Sequence, residues 1–262
     1  MSVLAAKILL APSFVVCASL VARRYGARVG GLVGGLPVVA GPILLVFALT
    51  HGRAFAAEAA AGTLLGILSL LAFIAVYSRL ASRAHWGTSL IFGWASFFAM
   101  TACLSAVVVG VDGALLVVMA GVALTLLTLP RAHGDSLSVA ALPAWDLPLR
   151  ALSALALVLA LTALAGQLGA KLSGLLVPFP VIASVLAVFT HAQHGEQDLL
   201  RIMRGFVMGL VAYALFCFAL AVSLESLSIA ASFLLAAAAA LTIQTVALAV
   251  TWRRREPAAE PL

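Results

Sequence analysis

Residues 25–52 read YGARVGGLVGGLPVVAGPILLVFALTHG, and residues 168–195 read LGAKLSGLLVPFPVIASVLAVFTHAQHG. At a constant offset of 143, with no gap, Gly26-Ala27, Gly31-Leu32, Pro37-Val38, Ala40 and His51-Gly52 meet Gly169-Ala170, Gly174-Leu175, Pro180-Val181, Ala183 and His194-Gly195. The register holds over residues 25–78 and 168–221, where Gly62, Gly66 and Phe73 meet Gly205, Gly209 and Phe216. Basic residues follow it as well, with Lys7 opposite Arg150 and Arg28 opposite Lys171. The chain therefore reads as two copies of one unit, and the relative orientation of the copies becomes the central question.

Composition names the solvent. Hydrophobic residues make up 65% of the chain and charged residues 9%, with a mean hydropathy of +1.21, whereas a soluble domain carries about 25% charge. An integral membrane protein is expected. Nine stretches reach the roughly 20 residues needed to cross a bilayer, at 3–22, 29–50, 54–77, 86–109, 113–130, 149–167, 172–193, 200–222 and 228–251. The first has no basic leader of the signal-peptide kind, and Lys7 with Arg23-Arg24 suits a retained helix. Cys17, Cys103 and Cys217 all fall inside spans and read as apolar thiols rather than a disulfide framework. The isoelectric point near 9.9 does not indicate a nucleic-acid partner, because the cations are dispersed over span-flanking loops without a basic face or an aromatic RNA-binding motif.

Topology follows from those cations. If all nine stretches cross, one side holds Arg23, Arg24, Arg28, Arg79, Arg83, Arg131, Arg150, Arg201, Arg204, Arg253, Arg254 and Arg255, and the other holds Lys7, Arg53 and Lys171, a partition of 12 against 3. If the fifth stretch stayed on one side, the partition would fall to 9 against 6. The positive-inside rule favours nine crossings, with a periplasmic N-terminus and a cytoplasmic C-terminus in a bacterial inner membrane. An odd number of crossings separates the copies, so they are expected to be inverted. The expected fold is all-α and polytopic: a four-helix copy (1–110), a linker helix with a cytoplasmic loop (111–148), an inverted four-helix copy (149–253) and a short tail (254–262). Inverted pairs of this kind serve transporters with a midplane site.

The second and seventh spans carry the candidate site. Gly34, Gly35, Pro37 and Pro42 interrupt one, and Pro178, Phe179 and Pro180 interrupt the other. Proline removes an amide donor and clashes with the preceding turn, so both spans should break. Non-helical backbone at membrane depth survives only when buried in protein or lining a cavity, and half-helix N-termini there offer partial positive charge to an anion. Gly62-x-x-x-Gly66 and Gly205-x-x-x-Gly209 read as close-packing faces. Thr101 and Gln244 are repeat equivalents, placed either to bond between helices or to line a solute path. Glu58 and Arg201 are also equivalents and could gate access, while Asp112, Asp198 and Glu225 sit at span edges. His51 and His194 precede glycines at helix ends, where capping or interfacial contact is expected rather than metal binding. No His-Glu-x-x-His, Gly-x-Ser-x-Gly or Walker sequence occurs, so neither an enzyme, a cofactor nor a metal is expected. The expected partners are a small-molecule or lipid-like solute and membrane lipids.

The run Ser173-Gly174-Leu175-x-x-x-Phe179-Pro180, followed by an apolar helix ending at His194-Gly195, resembles the GlpM family of small bacterial inner-membrane proteins. Members are about half this length, so the resemblance implies a fused duplication; it covers the second copy best, since Leu36 replaces the phenylalanine in the first. It informs architecture more than substrate. The topology is also similar to that of fused fluoride channels, but this chain contains no asparagine, on which their pore relies. Small multidrug exporters place a glutamate in their first helix, where this chain has only Lys7. Three functions are therefore expected in order: a transporter of a small anionic or amphipathic solute, a non-transporting scaffold for envelope polysaccharide or lipid enzymes, and an ion channel of fused dual-topology type.

Overall fold

A computed structural model describes residues 3–132, 146–164 and 170–253. Most of the 131–148 loop and the 254–262 tail lie outside those residues. The described residues form helices and the turns between them, with no strand. Helix α1 (Val3–Tyr25) is followed by α2 (Ala27–Gly34), α3 (Ala40–His51), α4 (Arg53–Leu80), α5 (Trp86–Ser105) and α6 (Val111–Thr128). The second half contains α7 (Asp146–Leu164), α8 (Ala170–Leu176), α9 (Val181–Ser223) and α10 (Ile229–Arg253).

Three glycines reverse the chain within a single residue. Gly26, Gly52 and Gly195 have φ values of 89°, 89° and 80°, with ψ values of 157°, 171° and −174°. That region is accessible essentially to glycine alone. One helix can therefore end and the next begin without a loop. Around Gly26 the outcome is a tight hairpin, in which Gly30 lies against Ala22 and the Ala18 carbonyl. Gly195 is the only non-helical residue inside α9 and divides it into two parts.

The elements recur at the sequence offset. Residues 53–80 of α4 correspond to residues 196–223 of α9, and the starts of α5 and α10, at Trp86 and Ile229, also differ by 143. Gly52 and Gly195 coincide in both position and conformation. α6 has no counterpart and lies between the halves, against both α4 and α9.

The core is built from α4 and α9, whose inward faces are buried along nearly their whole length. Against them pack α2 on α9 and α8 on α4, while α1 pairs with α7. The outer helices expose large apolar side chains, including Ile91 and Phe92 on α5, Leu116, Leu124 and Leu127 on α6, and Leu234 and Leu241 on α10. Such a belt is a liability in water and a requirement in lipid. Five helical segments among the described residues are long and apolar enough to cross a membrane. This is a helical membrane protein.

The last residue of α6 and the two that follow it bring α4 and α9 together. Arg79, next to the end of α4, donates from Nη2 to the Thr128 carbonyl at 3.4 Å. Arg204, near the start of the second part of α9, donates from Nη2 to the Leu129 carbonyl at 2.7 Å and from Nε to the Pro130 carbonyl at 3.3 Å. At the far end of the molecule, Lys171 donates to the carbonyls of Ser105 and Val107, and Arg53 donates to that of Leu227.

Candidate functional site

Helices α2 and α9 approach so closely that backbone meets backbone. A Cβ added at Gly31 would lie within 3.0 Å of the Ile202 carbonyl, and one at Gly205 would lie equally close to the Arg28 carbonyl. The same contact is repeated between α8 and α4. There a Cβ at Gly174 would meet the Ala59 carbonyl, and one at Gly62 the Lys171 carbonyl. Every partner in the second contact is the 143-residue counterpart of a partner in the first. The glycine pairs expected to form packing faces do so, but between copies rather than within one.

Both Gly/Pro interruptions fall inside these contacts. α2 stops at Gly34 and α3 starts at Ala40; α8 stops at Leu176 and α9 starts at Val181. Gly35 at the first break lies against the Phe206 carbonyl and Gly209 on α9, while Pro178 at the second lies against Gly66 on α4. Gly34, Gly35, Pro37, Pro178, Phe179 and Pro180 are all buried. Pro42 is not at the break. It sits in the first turn of α3, where its missing amide has no intrahelical use, and it is half-buried.

Backbone accounting shows how the first break is sealed. The Leu36 amide bonds the Val33 carbonyl at 3.1 Å, which withdraws it from the Leu32 carbonyl it would reach in a continuous helix. Gln244 on α10 fills the gap, its Nε2 donating to the Leu32 carbonyl at 2.8 Å. Gln244 is 4% exposed, and its Oε1 is buried with no partner among the described residues. Its repeat equivalent Thr101 instead donates to Ser69 Oγ at 2.9 Å. α3 and α9 both start without a side-chain cap; local carbonyls serve instead, the Gly41 amide bonding the Pro37 carbonyl at 2.9 Å and the Val181 amide the Phe179 carbonyl at 2.7 Å.

The second break is filled by aromatic rings. Phe179 lies 5.3 Å from Phe97, 5.6 Å from Phe98 and 5.8 Å from Trp94, centroid to centroid. Trp94 Nε1 donates to Ser184 Oγ at 3.0 Å, four residues past Pro180. Leu36 replaces Phe179 in the first copy, so two equivalent breaks have different chemical surroundings. Sequence reasoning missed Trp94 and Ser184; the Trp94-x-x-Phe97-Phe98 spacing, which puts three rings on neighbouring turns, was the available signal.

A buried ionic cluster joins α1, α7 and α9 at the arginine-rich end. Arg150 Nε donates to both oxygens of Asp146, at 3.1 and 2.9 Å, and Arg23 Nη2 donates to Oδ2. Gln193 Nε2 donates to Oδ1 at 2.7 Å, while its Oε1 accepts from Arg150 Nη2 at 3.1 Å. The Arg150 guanidinium stacks 4.8 Å from the centre of the Phe189 ring. Asp146 is fully buried and Arg150 is 4% exposed. Burial pushes the Asp146 carboxyl up, but hydrogen bonds from Gln193 and Arg150 and the Arg150 charge hold it below its ordinary range. Only the i,i+4 spacing of Asp146 and Arg150 was readable in advance.

The remaining candidates are peripheral. Glu58 is exposed on α4, and Arg201 pairs with Asp198 at 2.6 Å; the two equivalents have unlike surroundings. His51 stacks on Phe55 at 4.6 Å and shares a 2.7 Å hydrogen bond with Thr50. No group of three or more metal-ligating side chains occurs among the described residues. No family model, curated protein or solved structure matches the chain.

Proposed function

We propose that this chain is an inner-membrane transporter with nine spans, built as two fused, inverted copies of a GlpM-like unit around the linker α6. It moves a small anionic or amphipathic solute by alternating access at the breaks in residues 35–39 and 177–180. One observation carries this reading: each break stands against the glycine helix of the opposite copy, through contacts that exchange when residue i is replaced by i + 143. Residue exchange of that kind is the mark of a two-fold relation between the copies, and breaks at matched positions in two inverted copies are where transporters hold solute. The orphaned Gln244 oxygen supplies an acceptor beside the first break, suited to a donor group of the solute.

Inversion is supported by helix direction. The end of α4 and the start of its counterpart in α9 both reach the same end of α6, through Arg79 and Arg204. Likewise Arg23, in the last turn of α1, meets Asp146, in the first described turn of its counterpart α7. Equivalent helices thus leave from opposite faces. The arginine-rich face is cytoplasmic under the positive-inside rule. Reporter fusions should place the N-terminus in the periplasm and the C-terminus in the cytoplasm; termini on one side would rule out the inverted arrangement.

A scaffold reading draws support from the ring-filled surroundings of Phe179. Thiol chemistry separates the two. Single cysteines at Leu36, Pro37, Phe179 and Pro180, in a chain lacking Cys17, Cys103 and Cys217, are expected to react with a small membrane-impermeant reagent. Gly35 is unsuited to this test, because a Cβ there would strike the Phe206 carbonyl. If all four stay unreactive from both sides while cysteines at the exposed Ser82 and Ser226 label, the interior is dry and the scaffold reading replaces transport.

A further inference from the structure

The Asp146 carboxylate sits in a receptor made by the rest of the fold. Three side chains donate to it, from the end of α1, the first turn of α7 and the end of the first part of α9. Arg150 addresses it through Nε to both oxygens, with its plane held by Phe189 and by Gln193 Oε1. Planar guanidinium recognition of two coplanar oxygens is the geometry by which proteins take up carboxylates and phosphates. Two guanidiniums meet one carboxylate, so the cluster keeps one net positive charge. It also has an open side, since the Arg23 side chain is 27% exposed.

The opposite end of the fold closes without such a cluster. At the repeat-equivalent positions, Asp146, Arg150 and Gln193 are replaced by Val3, Lys7 and Thr50, and Arg23 corresponds to Gly166. The opposite end is tied by Lys171 and Arg53 to backbone carbonyls. The cluster is thus confined to one end of a duplicated sequence. Under the proposed topology that end also holds most of the chain's arginines, a field that draws anions toward it.

We propose that Arg23, Arg150 and Gln193 form an oxyanion-binding site at the arginine-rich end, for a carboxylate or phosphate group, and that Asp146 occupies it as an internal stand-in. An incoming oxyanion displaces Asp146 and takes the same donors. This rests on the anionic-solute part of the proposed function and names the group of the solute that is recognised. Asp146 thereby sets the affinity: it competes from within the chain, so only an oxyanion presented at high local concentration enters.

The test uses the purified full-length protein, its melting followed by tryptophan fluorescence. Asp146→Ala is expected to melt below the unaltered chain and to recover most of that loss in acetate or inorganic phosphate. Half-recovery should need at least tenfold less of either anion than of chloride at matched ionic strength. The unaltered chain should need at least tenfold more oxyanion for any shift, and Asp146→Ala combined with Arg150→Gln should not recover. Equal responses of Asp146→Ala to acetate, phosphate and chloride would overturn the site. If Asp146→Ala does not fold, Asp146→Asn replaces it, with the same expected dependence on Arg150. Nanodiscs distinguish the source of the group. Recovery in phosphatidylglycerol discs without added anion assigns it to a lipid headgroup, and recovery only with soluble anion in zwitterionic discs assigns it to a solute. Recovery with unreactive cysteines at Pro37 and Pro180 keeps the site and removes transport; labelled cysteines without recovery do the reverse.

Discussion

Valine at Gly205 is expected to cut the yield of monodisperse protein by more than half and to lower the melting temperature of what remains. Overpacking a well-packed core costs about 1–3 kcal/mol. Gly205 belongs at the top of that range, because its added Cβ meets the Arg28 backbone carbonyl, and a carbonyl in a helix cannot swing aside. A loss of about 3 kcal/mol corresponds to roughly 6–12 °C for a chain of this size class. Gly62→Val should behave alike, since it meets the Lys171 carbonyl in the counterpart contact. Gly31→Val combined with Gly205→Val should lose less than the sum of the two, because either one already separates α2 from α9. Gly110→Ala is the control: its φ is −63° and a Cβ there meets nothing within 4 Å. Additive losses at Gly31 and Gly205, or a neutral Gly205→Val, would contradict the close backbone contact.

Asp146→Asn is expected to be the most damaging single change among the charged residues, at about 3–5 kcal/mol, the usual cost of stranding a buried charge by removing its partner. Arg150, 4% exposed, would keep its charge with no anionic partner, only the neutral amide oxygens of Gln193 and of the substituted side chain. Restoring neutrality with Asp146→Asn and Arg150→Gln together should recover part of the loss, as the double mutant strands no buried ion. The pH dependence has a definite sign. The Asp146 carboxyl lies below its ordinary range in the folded chain, so its contribution is complete above the unfolded value near 3.9 and is lost as pH falls through the lower folded value. The gap in melting temperature between the unaltered chain and Asp146→Asn should therefore be constant from about pH 7 to pH 5 and narrow below about pH 4. A gap independent of pH down to pH 3 would show that Asp146 is not paired in the folded protein.

Much of this architecture could be read from local chemistry. Hydropathy located the helices because a spanning segment must be apolar along its length, and the Gly/Pro runs located the breaks because proline cannot donate its amide and glycine weakens a helix wherever it stands. The repeat made both readings firmer, since each break and each Gly-x-x-x-Gly pair occurs twice. Gln244 was legible as a polar residue in an apolar helix that had to find an acceptor; it found the Leu32 carbonyl released by the break. In each case the cause lies within one or two helical turns.

Tertiary structure decided the remainder. A pattern such as Gly62-x-x-x-Gly66 states that a backbone will come close but not whose, and the partner proved to be α8 of the other copy. Pro42 resembled a break residue until the start of α3 placed it in a first turn that tolerates it. Arg23, Asp146 and Gln193 stood as unrelated residues at three helix ends, 123 and 47 positions apart in their hydrogen-bonded pairs. Charge carries no address along the chain, and a carboxylate accepts any donor that folding delivers. Periodicity and backbone chemistry thus made helices and breaks readable from the sequence, whereas the choice of partners, including the burial of Asp146 between Arg23 and Arg150, was made by packing.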